Sequence, residues 1–220
     1  MAALDGGIDV DVWTVRTGWT PADAAKFLSD GERQRMNAFA DKKTRSRYAR
    51  IHGILRILLA WYLEAEPGRV HMEYTPEGKP FLPRQELHFN LSHAEDAALF
   101  AFCKGYPVGI DVEPVRSLPE AEHIAERWFS PGERIWINSS PRPEHAFARC
   151  WVCREAIGKA SGKGLAHALQ PAALKYLTGR LLSAENYFVS DWEPWAGYVA
   201  AVACFPGIDR IASGLEAYSP

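Results

Sequence analysis

Alternation between apolar and polar side chains predicts where the strands of this chain lie. Over residues 8–15 apolar positions alternate with acidic and polar ones, and the same period of two recurs over residues 87–93. A mostly apolar run at 97–103 follows a short turn and predicts a further strand. Comparable runs predict strands over residues 108–113, 186–192 and 197–205.

Apolar side chains spaced three and four residues apart predict the helices. The longest such pattern covers residues 44–64. Thr20-Pro21 supplies a cap and a first-turn proline for a helix over residues 20–28. We expect further helices over residues 119–129, from 130 onward and over 146–161. The residues from Gly207 onward are expected to form a poorly fixed tail.

The order of the predicted elements is similar in the two halves of the chain. Each half has the order strand, helix, helix, strand, strand, which favours an α+β fold built from two similar α/β halves with mostly antiparallel sheets. We expect an N-terminal half over residues 1–105 and a C-terminal half over residues 106–220, related by a pseudo-two-fold axis. No sequence identity between the halves proves a repeat, so this division is a hypothesis.

Composition narrows the class of protein. The chain has 220 residues, of which 47% are hydrophobic and 24% charged, as in ordinary globular proteins of one or two domains. A net charge of −2 gives no basic field for nucleic acid. The most apolar helical run, residues 54–63, is too short to span a bilayer and contains Arg56, and no signal peptide is recognisable. We therefore expect a cytoplasmic protein that binds neither nucleic acid nor membrane.

Two of the four cysteines, Cys150 and Cys153, have the C-x-x-C spacing. A thioredoxin-like motif would stand at the start of a helix, whereas this pair falls inside a predicted helix. No second pair completes a zinc site. Buried small side chains are the favoured interpretation, ahead of redox or zinc chemistry.

The strand at 108–113 carries the first candidate for chemistry. Asp111 and Glu113 lie two residues apart, so their carboxylates stand on one face of the strand while Ile110 and Val112 face the other. Adjacent carboxylates repel each other unless a cation neutralises them, and Mg²⁺ prefers carboxylate, phosphate and water oxygens. A hydrated surface pair is the alternative interpretation.

Other candidate residues each have a simpler structural explanation. Glu155 and Lys159 are spaced for an ordinary i,i+4 ion pair, and Glu133 completes a Ser-x-x-Glu capping box with Ser130. Alternatively, Glu155 adds a third carboxylate to the metal site and Lys159 contacts phosphate. Three further side chains could donate to phosphate although turn or surface roles are commoner, namely Lys79, Ser92 and His93.

Five motifs resemble, in their residues and their order, those of the 4′-phosphopantetheinyl transferases. Within that family the resemblance is to the larger, surfactin-synthetase-activating (Sfp-type) class. The resemblance covers roughly residues 30 to 170, and five motifs in one order are much more specific than any one alone. They are Gly78-Lys79-Pro80, Phe89-Asn90-Leu91-Ser92-His93, Val108-Gly109-Ile110-Asp111-Val112-Glu113, Trp128-Phe129-Ser130-Pro131-Gly132-Glu133, and Trp151-Val152-Cys153-Arg154-Glu155-Ala156-Ile157-Gly158-Lys159 followed by Gly162-Lys163-Gly164-Leu165.

The resemblance implies a fold, a reaction and a metal site. The fold is that of the 4′-phosphopantetheinyl transferases, with the active site between the two halves. Asp111, Glu113 and Glu155 would hold Mg²⁺, with Mn²⁺ as an alternative metal. The enzyme would transfer the 4′-phosphopantetheine group of coenzyme A to a serine of an apo acyl or peptidyl carrier protein and release 3′,5′-ADP. A monomer is the expected state in this class.

The resemblance also implies which residues act on the substrates. Glu155 and Glu133 are the first and second candidates for the base, and Lys159 would stabilise the charge that builds up on phosphate. Six residues would bind coenzyme A: Lys79, Ser92, His93, Arg35, His52 and Arg154. Two of them depart from the family pattern, which has lysine at position 154 and arginine at position 52.

Two other functions remain open at this point. A metal-dependent phosphohydrolase would use the same residues with water in place of serine. A binding module for coenzyme A or a carrier protein would need no catalysis. The sequence does not distinguish carriers of fatty-acid, polyketide and nonribosomal-peptide biosynthesis.

Overall fold

The computed structural model describes residues 9–16, 24–76, 78–163, 175–177, 180–182, 187–204 and 210–214. One strand is followed by two α-helices, five strands, three α-helices and five further strands, and most of the strands form two larger sheets. The helices are α1 (Asp30–Ala38), α2 (Lys42–Tyr62), α3 (Ala121–Trp128), α4 (Pro131–Ser139) and α5 (Pro143–Ser161). The strands are β1 (Asp9–Arg16), β2 (Glu73–Tyr74), β3 (Pro80–Phe81), β4 (Leu87–Ala94), β5 (Ala97–Lys104), β6 (Val108–Pro114), β7 (Lys175–Leu177), β8 (Arg180–Leu182), β9 (Phe188–Trp192), β10 (Tyr198–Cys204) and β11 (Arg210–Gly214).

Two sheets stack face to face, each covered on its outer side by one long helix. The first sheet has the order β11-β1-β5-β4 and the second the order β6-β10-β9-β8-β7. Alternate apolar residues of β1 and β5 meet those of β6 and β10 in one core between the sheets. The opposite faces pack against α2 and α5 respectively. The resulting layers are helix, sheet, sheet and helix.

This architecture confirms the α+β class with mostly antiparallel sheets, since every pairing among the described strands except that of β1 with β11 is antiparallel. Residues 1–105 and 106–220 as separate halves, and the axis between them, stay predictions. The expected tail after Gly207 is wrong, because β11 pairs in parallel with β1. The helix expected over residues 20–28 lies partly outside the described residues, and its described part is a 3-10 helix, Ala24–Phe27.

The four cysteines are buried and none forms a disulfide, and burial is what the sequence predicted for the C-x-x-C pair. Cys150 and Cys153 lie inside α5. Cys103 on β5 and Cys204 on β10 occupy the core between the two sheets, with their Sγ atoms 3.7 Å apart. Of the described helices, none is long and apolar enough to cross a membrane.

A buried ion pair beneath α2 is built in the same way as one beneath α5. Ser29 caps α1 in a reciprocal capping box with Glu32, whose carboxylate accepts a hydrogen bond from Arg56 Nε at 2.5 Å. Ser130 caps α4 in the same way with Glu133, and the partner there is Arg154 of α5. Serine, glycine and glutamate occupy equivalent positions in both segments, 29–32 and 130–133. A capping-box glutamate that pairs with an arginine of the following long helix thus occurs twice among the described residues.

Acid should destabilise the protein through Glu32. Burial by itself raises the pKa of this carboxyl, but His52 and hydrogen bonds from Ser29 and Arg56 outweigh burial and lower the pKa from 4.5 to about 2. The ionised form therefore stabilises the fold above pH 4.5 by about 3 kcal/mol, and this contribution is lost as the pH falls towards 2. We expect wild type to unfold at a higher temperature than Glu32→Gln at pH 7. The difference between the two unfolding temperatures should disappear as the pH is lowered to 2. The exposed Glu120→Gln is the control, and a gap independent of pH would contradict the assignment.

Candidate active site

The two sheets meet at their edges as well as through their faces. Strand β4 is the edge of the first sheet and β6 is the edge of the second. Helix α5 lies directly on β6, because Gly109 has no side chain: a Cβ atom there would stand 2.1 Å from the carbonyl oxygen of Ala156. The predicted site residues on β4, β6 and α5 are therefore brought to one place.

Asp111 is the centre of a buried polar group. Its side chain faces α5, while Ile110 and Val112 point into the core between the sheets, as the alternation predicted. Asp111 Oδ1 accepts hydrogen bonds from Ser92 Oγ and Lys159 Nζ, both at 2.7 Å, and Lys159 Nζ also donates to Ser92 Oγ at 2.9 Å. Asp111 is only 3% exposed. Its Oδ2 is buried without a hydrogen-bond partner.

Burial and the negative charge of Asp111 raise the pKa values of two further carboxyls. Burial, together with the charges of Asp111 and Glu113, raises the pKa of Glu155 to about 7, although Lys159 opposes the shift. Burial and Asp111 also raise the pKa of Glu113. Three carboxyls thus lie close together with one lysine among them, and the raised pKa values of Glu155 and Glu113 show that a cation here would be favoured.

The donors of this site suit a hard divalent cation. Carboxylate oxygens are ligands of Mg²⁺ and Mn²⁺, and Oδ2 of Asp111 is a buried carboxylate oxygen that accepts no hydrogen bond. Within the described ranges, no three His, Cys, Asp or Glu side chains converge closely enough to enclose an ion. The chemistry of the residues therefore fits the metal that the resemblance implied, and the coordination geometry stays a prediction.

Lys79 holds the end of α5 against the start of β6. Its ammonium group donates to the main-chain carbonyl oxygens of Lys159 and of Val108, the latter at 3.4 Å. Burial and the nearby charge of Lys159 lower the pKa of Lys79 to about 8. The structure thus places Lys79 beside the Asp111 group, and its contact with coenzyme A stays a prediction.

The side chains of Glu133 and Arg154 form a buried ion pair with each other. Arg154 Nε and Nη2 donate to the two oxygens of Glu133 at 3.1 and 2.6 Å, and the guanidinium stands over the ring of Phe129. The backbone N–H of Ser130 donates to the same carboxylate. Both side chains are almost inaccessible, with Arg154 1% exposed. These contacts engage both oxygens of Glu133 and argue for structural roles rather than for catalysis or coenzyme A binding.

Comparison with known proteins places the chain in a family. A curated relative from Nostoc sp. (strain PCC 7120), named 4′-phosphopantetheinyl transferase HetI, is 36% identical over 189 residues that cover 82% of this chain and 80% of that protein. The chain belongs to the 4′-phosphopantetheinyl transferase superfamily. The model of that superfamily matches residues 107–203.

Other members of the superfamily match shorter parts of the chain. The 4′-phosphopantetheinyl transferase psf-1 of Bacillus pumilus is 38% identical over 104 residues, which cover 46% of this chain and 43% of that protein. The crystal structure of Thermotoga maritima holo-[acyl-carrier-protein] synthase is 24% identical with a TM-score of 0.39, covering 46% of this chain and 62% of that one, a likeness too distant to support an argument. The protein is accordingly a phosphopantetheinyl transferase, and its assignment to the Sfp-type class stays a prediction.

Three further residues were predicted to bind coenzyme A: His52 on α2, His93 on β4 and Arg35 on α1. His52 Nδ1 is 3.6 Å from Glu32 Oε1, too far for a hydrogen bond, and the imidazole stacks on Tyr48. His93 keeps an exposed face, yet the protein around its ring and the positive charges of Arg47 and Lys159 lower its pKa. Arg35 is exposed in the last turn of α1.

Sequence reasoning missed two residues beside the candidate site. Arg47 acts electrostatically on His93 from α2, and only the basic run around it, rather than any motif, signalled it. Asn90 was quoted within a motif but given no role, although its side chain bonds to β6. The residues Gly164 and Leu165 that close the last motif lie outside the described part of the chain.

Proposed function

We propose that this protein transfers the 4′-phosphopantetheine group of coenzyme A to a serine of an apo acyl or peptidyl carrier protein in a Mg²⁺-dependent reaction. The observation that carries the proposal is the buried group of Asp111, Ser92 and Lys159, with Glu155 beside it. Superfamily membership supports the same conclusion independently. No nucleophile from the enzyme is needed.

The proposed reaction breaks the phosphoanhydride bond of coenzyme A and forms a phosphodiester on the carrier serine. The serine oxygen of the carrier forms a bond to the β-phosphorus of coenzyme A, and the bond from that phosphorus to the oxygen bridging to the α-phosphate breaks. The leaving group is 3′,5′-ADP. Asp111, Glu113 and Glu155 would hold Mg²⁺, which when bound neutralises negative charge on the pyrophosphate.

The serine proton must go to a base, and Glu155 is favoured over Glu133. Before any cation binds, a pKa of about 7 leaves Glu155 ionised in much of the protein at neutral pH, so it can accept a proton. Glu133 is committed to Arg154 and to the start of α4. Lys159 would stabilise the charge on phosphate oxygens, since its ammonium already lies among the site's oxygen atoms.

The other coenzyme A contacts follow from position. Ser92 and His93 end the edge strand at the Asp111 group, and Lys79 lies behind Lys159. We propose that these three contact the phosphates and the nucleotide end of coenzyme A, together with His52 and Arg35 on the α2 side. Arg154 is proposed to support α5 through Glu133 instead of touching the ligand.

Incubation with coenzyme A, Mg²⁺ and a panel of apo carriers should add about 340 Da to one or more of them, the mass of a phosphopantetheine ester on serine. Intact-mass spectrometry measures the gain, and a carrier whose serine is replaced by alanine is the control. Release of 3′,5′-ADP without any carrier would identify a phosphohydrolase instead. Coenzyme A binding without either product would identify a binding module.

The same proposal includes a cytoplasmic monomer that acts on protein rather than on nucleic acid or membrane. Four buried cysteines that form no disulfide fit a reducing compartment. The carrier panel should contain fatty-acid, polyketide and nonribosomal-peptide carriers, because the site itself does not distinguish them.

A further inference from the structure

Side chains of β4 connect this edge strand to β6, the edge strand of the other sheet. In the part of the chain that the structure describes, these strands belong to different sheets and form no main-chain ladder with each other. Asn90 and Ser92 occupy alternate positions of β4 and therefore project from the same face. Both bond to β6, Asn90 to its backbone and Ser92 to the side chain of Asp111.

The contact of Asn90 is buried and directed at the residue before Asp111. Its Oδ1 accepts a hydrogen bond from the N–H of Ile110 at 2.9 Å, and Asn90 is 6% exposed. An edge strand leaves every second N–H without a ladder partner, and a buried N–H without an acceptor is costly. Asn90 therefore replaces the missing strand at this one point of the edge.

We propose that Asn90 is a positioning residue for the transfer reaction, fixing the backbone of β6 so that Asp111 meets Ser92 and Lys159. This inference rests on the proposed function. Two bonds two residues apart on β4 set both the separation and the register of the edges. The bond from Ser92 alone sets only their separation at one point, so β6 and the helix packed on it, α5, could shift along β4 and carry Asp111 and Lys159 away from Ser92.

Asn90→Ala removes the acceptor and should lower turnover about tenfold to a hundredfold, the cost of displacing a reacting arrangement by roughly an ångström. The KM for coenzyme A should change less than about threefold, because Asn90 bonds to the backbone of β6 and every residue proposed to bind coenzyme A is kept. Michaelis parameters with a carrier that wild type modifies give this comparison. The proposal would be overturned if Asn90→Ala kept the turnover of wild type, or if its catalytic efficiency fell only because KM rose.

Leu91→Ala is the matched control for destabilisation. Leu91 is the next residue of β4 and packs on the opposite face, against the core beneath α2. The Leu91→Ala variant should lower the unfolding temperature at least as much as Asn90→Ala. Its turnover per folded molecule should stay near that of wild type. If both variants lose turnover in proportion to stability, Asn90 is merely structural.

Hydrogen exchange of the Ile110 amide tests the contact without any assay of activity. Exchange should accelerate in Asn90→Ala, and stay slow in Leu91→Ala and in Asn90→Asp, which keeps a side-chain acceptor. Unchanged exchange in Asn90→Ala would overturn the proposal. If wild type modifies no carrier, the proposed function fails while this measurement still decides whether Asn90 holds β6. Should Asn90→Ala fail to fold, Asn90→Ser shortens the side chain and takes its place.

Discussion

Replacing Glu155 by glutamine should reduce phosphopantetheinyl transfer at least about a thousandfold, equivalent to about 4 kcal/mol of activation free energy. The amide keeps the shape of the side chain but can neither take the serine proton nor contribute charge to a cation. At the same time the variant should unfold at the same or a higher temperature at pH 8. Burial and the charges of Asp111 and Glu113 disfavour the ionised carboxyl there, and the amide relieves that repulsion.

Loss of activity without loss of stability is the signature to look for. Transfer is measured by carrier mass gain under saturating coenzyme A and Mg²⁺, and unfolding by differential scanning calorimetry. Glu144→Gln makes the same change at an exposed position in the first turn of the same helix and should leave both quantities unchanged. Substantial activity in Glu155→Gln would remove Glu155 from the mechanism.

Gly109→Ala should destabilise the protein by about 3 kcal/mol and abolish transfer in what remains folded. The added Cβ would lie 2.1 Å from Ala156 O and 2.4 Å from Ala160 N, both in the backbone of α5. Backbone atoms cannot rotate aside as a side chain does, so α5 must move off β6. That movement separates Lys159 and Glu155 from Asp111.

The control for this substitution is Gly132→Ala in the first turn of α4. A Cβ there meets nothing within 4 Å, and alanine is the better helix former, so stability should be unchanged or rise by up to about 1 kcal/mol. Urea unfolding of both variants gives the comparison. A Gly109→Ala protein with wild-type stability would mean that the close approach of α5 to β6 is not as tight as the structure has it.

Local pattern predicted the elements that carry the site. The period of two placed Asp111 and Glu113 on the outer face of β6, and the period of 3.6 placed Glu155 and Lys159 on one helix, because these signals depend only on neighbouring residues. Motif order then joined them. What pattern could not supply was the edge-to-edge contact of β4 with β6, since that depends on how two sheets stack.

The missed elements had weak local signals or distant partners. Helix α1 is almost wholly polar, so no apolar stripe marks it, although its Ser29–Glu32 capping box was visible in the sequence. Arg56 was considered only as a charge in an apolar run, yet it is buried against Glu32. A search for the serine-glycine-glutamate segment of α4 would have found its counterpart in α1 and revealed both ion pairs.

The pairing of β11 with β1 affects the way in which the chain folds. Asp9 and Arg210 are register partners although roughly two hundred residues separate them, which makes this one of the least local contacts of the fold. During synthesis, β1 keeps an open edge until residues 210–214 have left the ribosome. Folding of the first sheet is therefore expected to finish only after the second sheet has been made, and an unoccupied β1 edge in the meantime offers a place for chaperones or for aggregation.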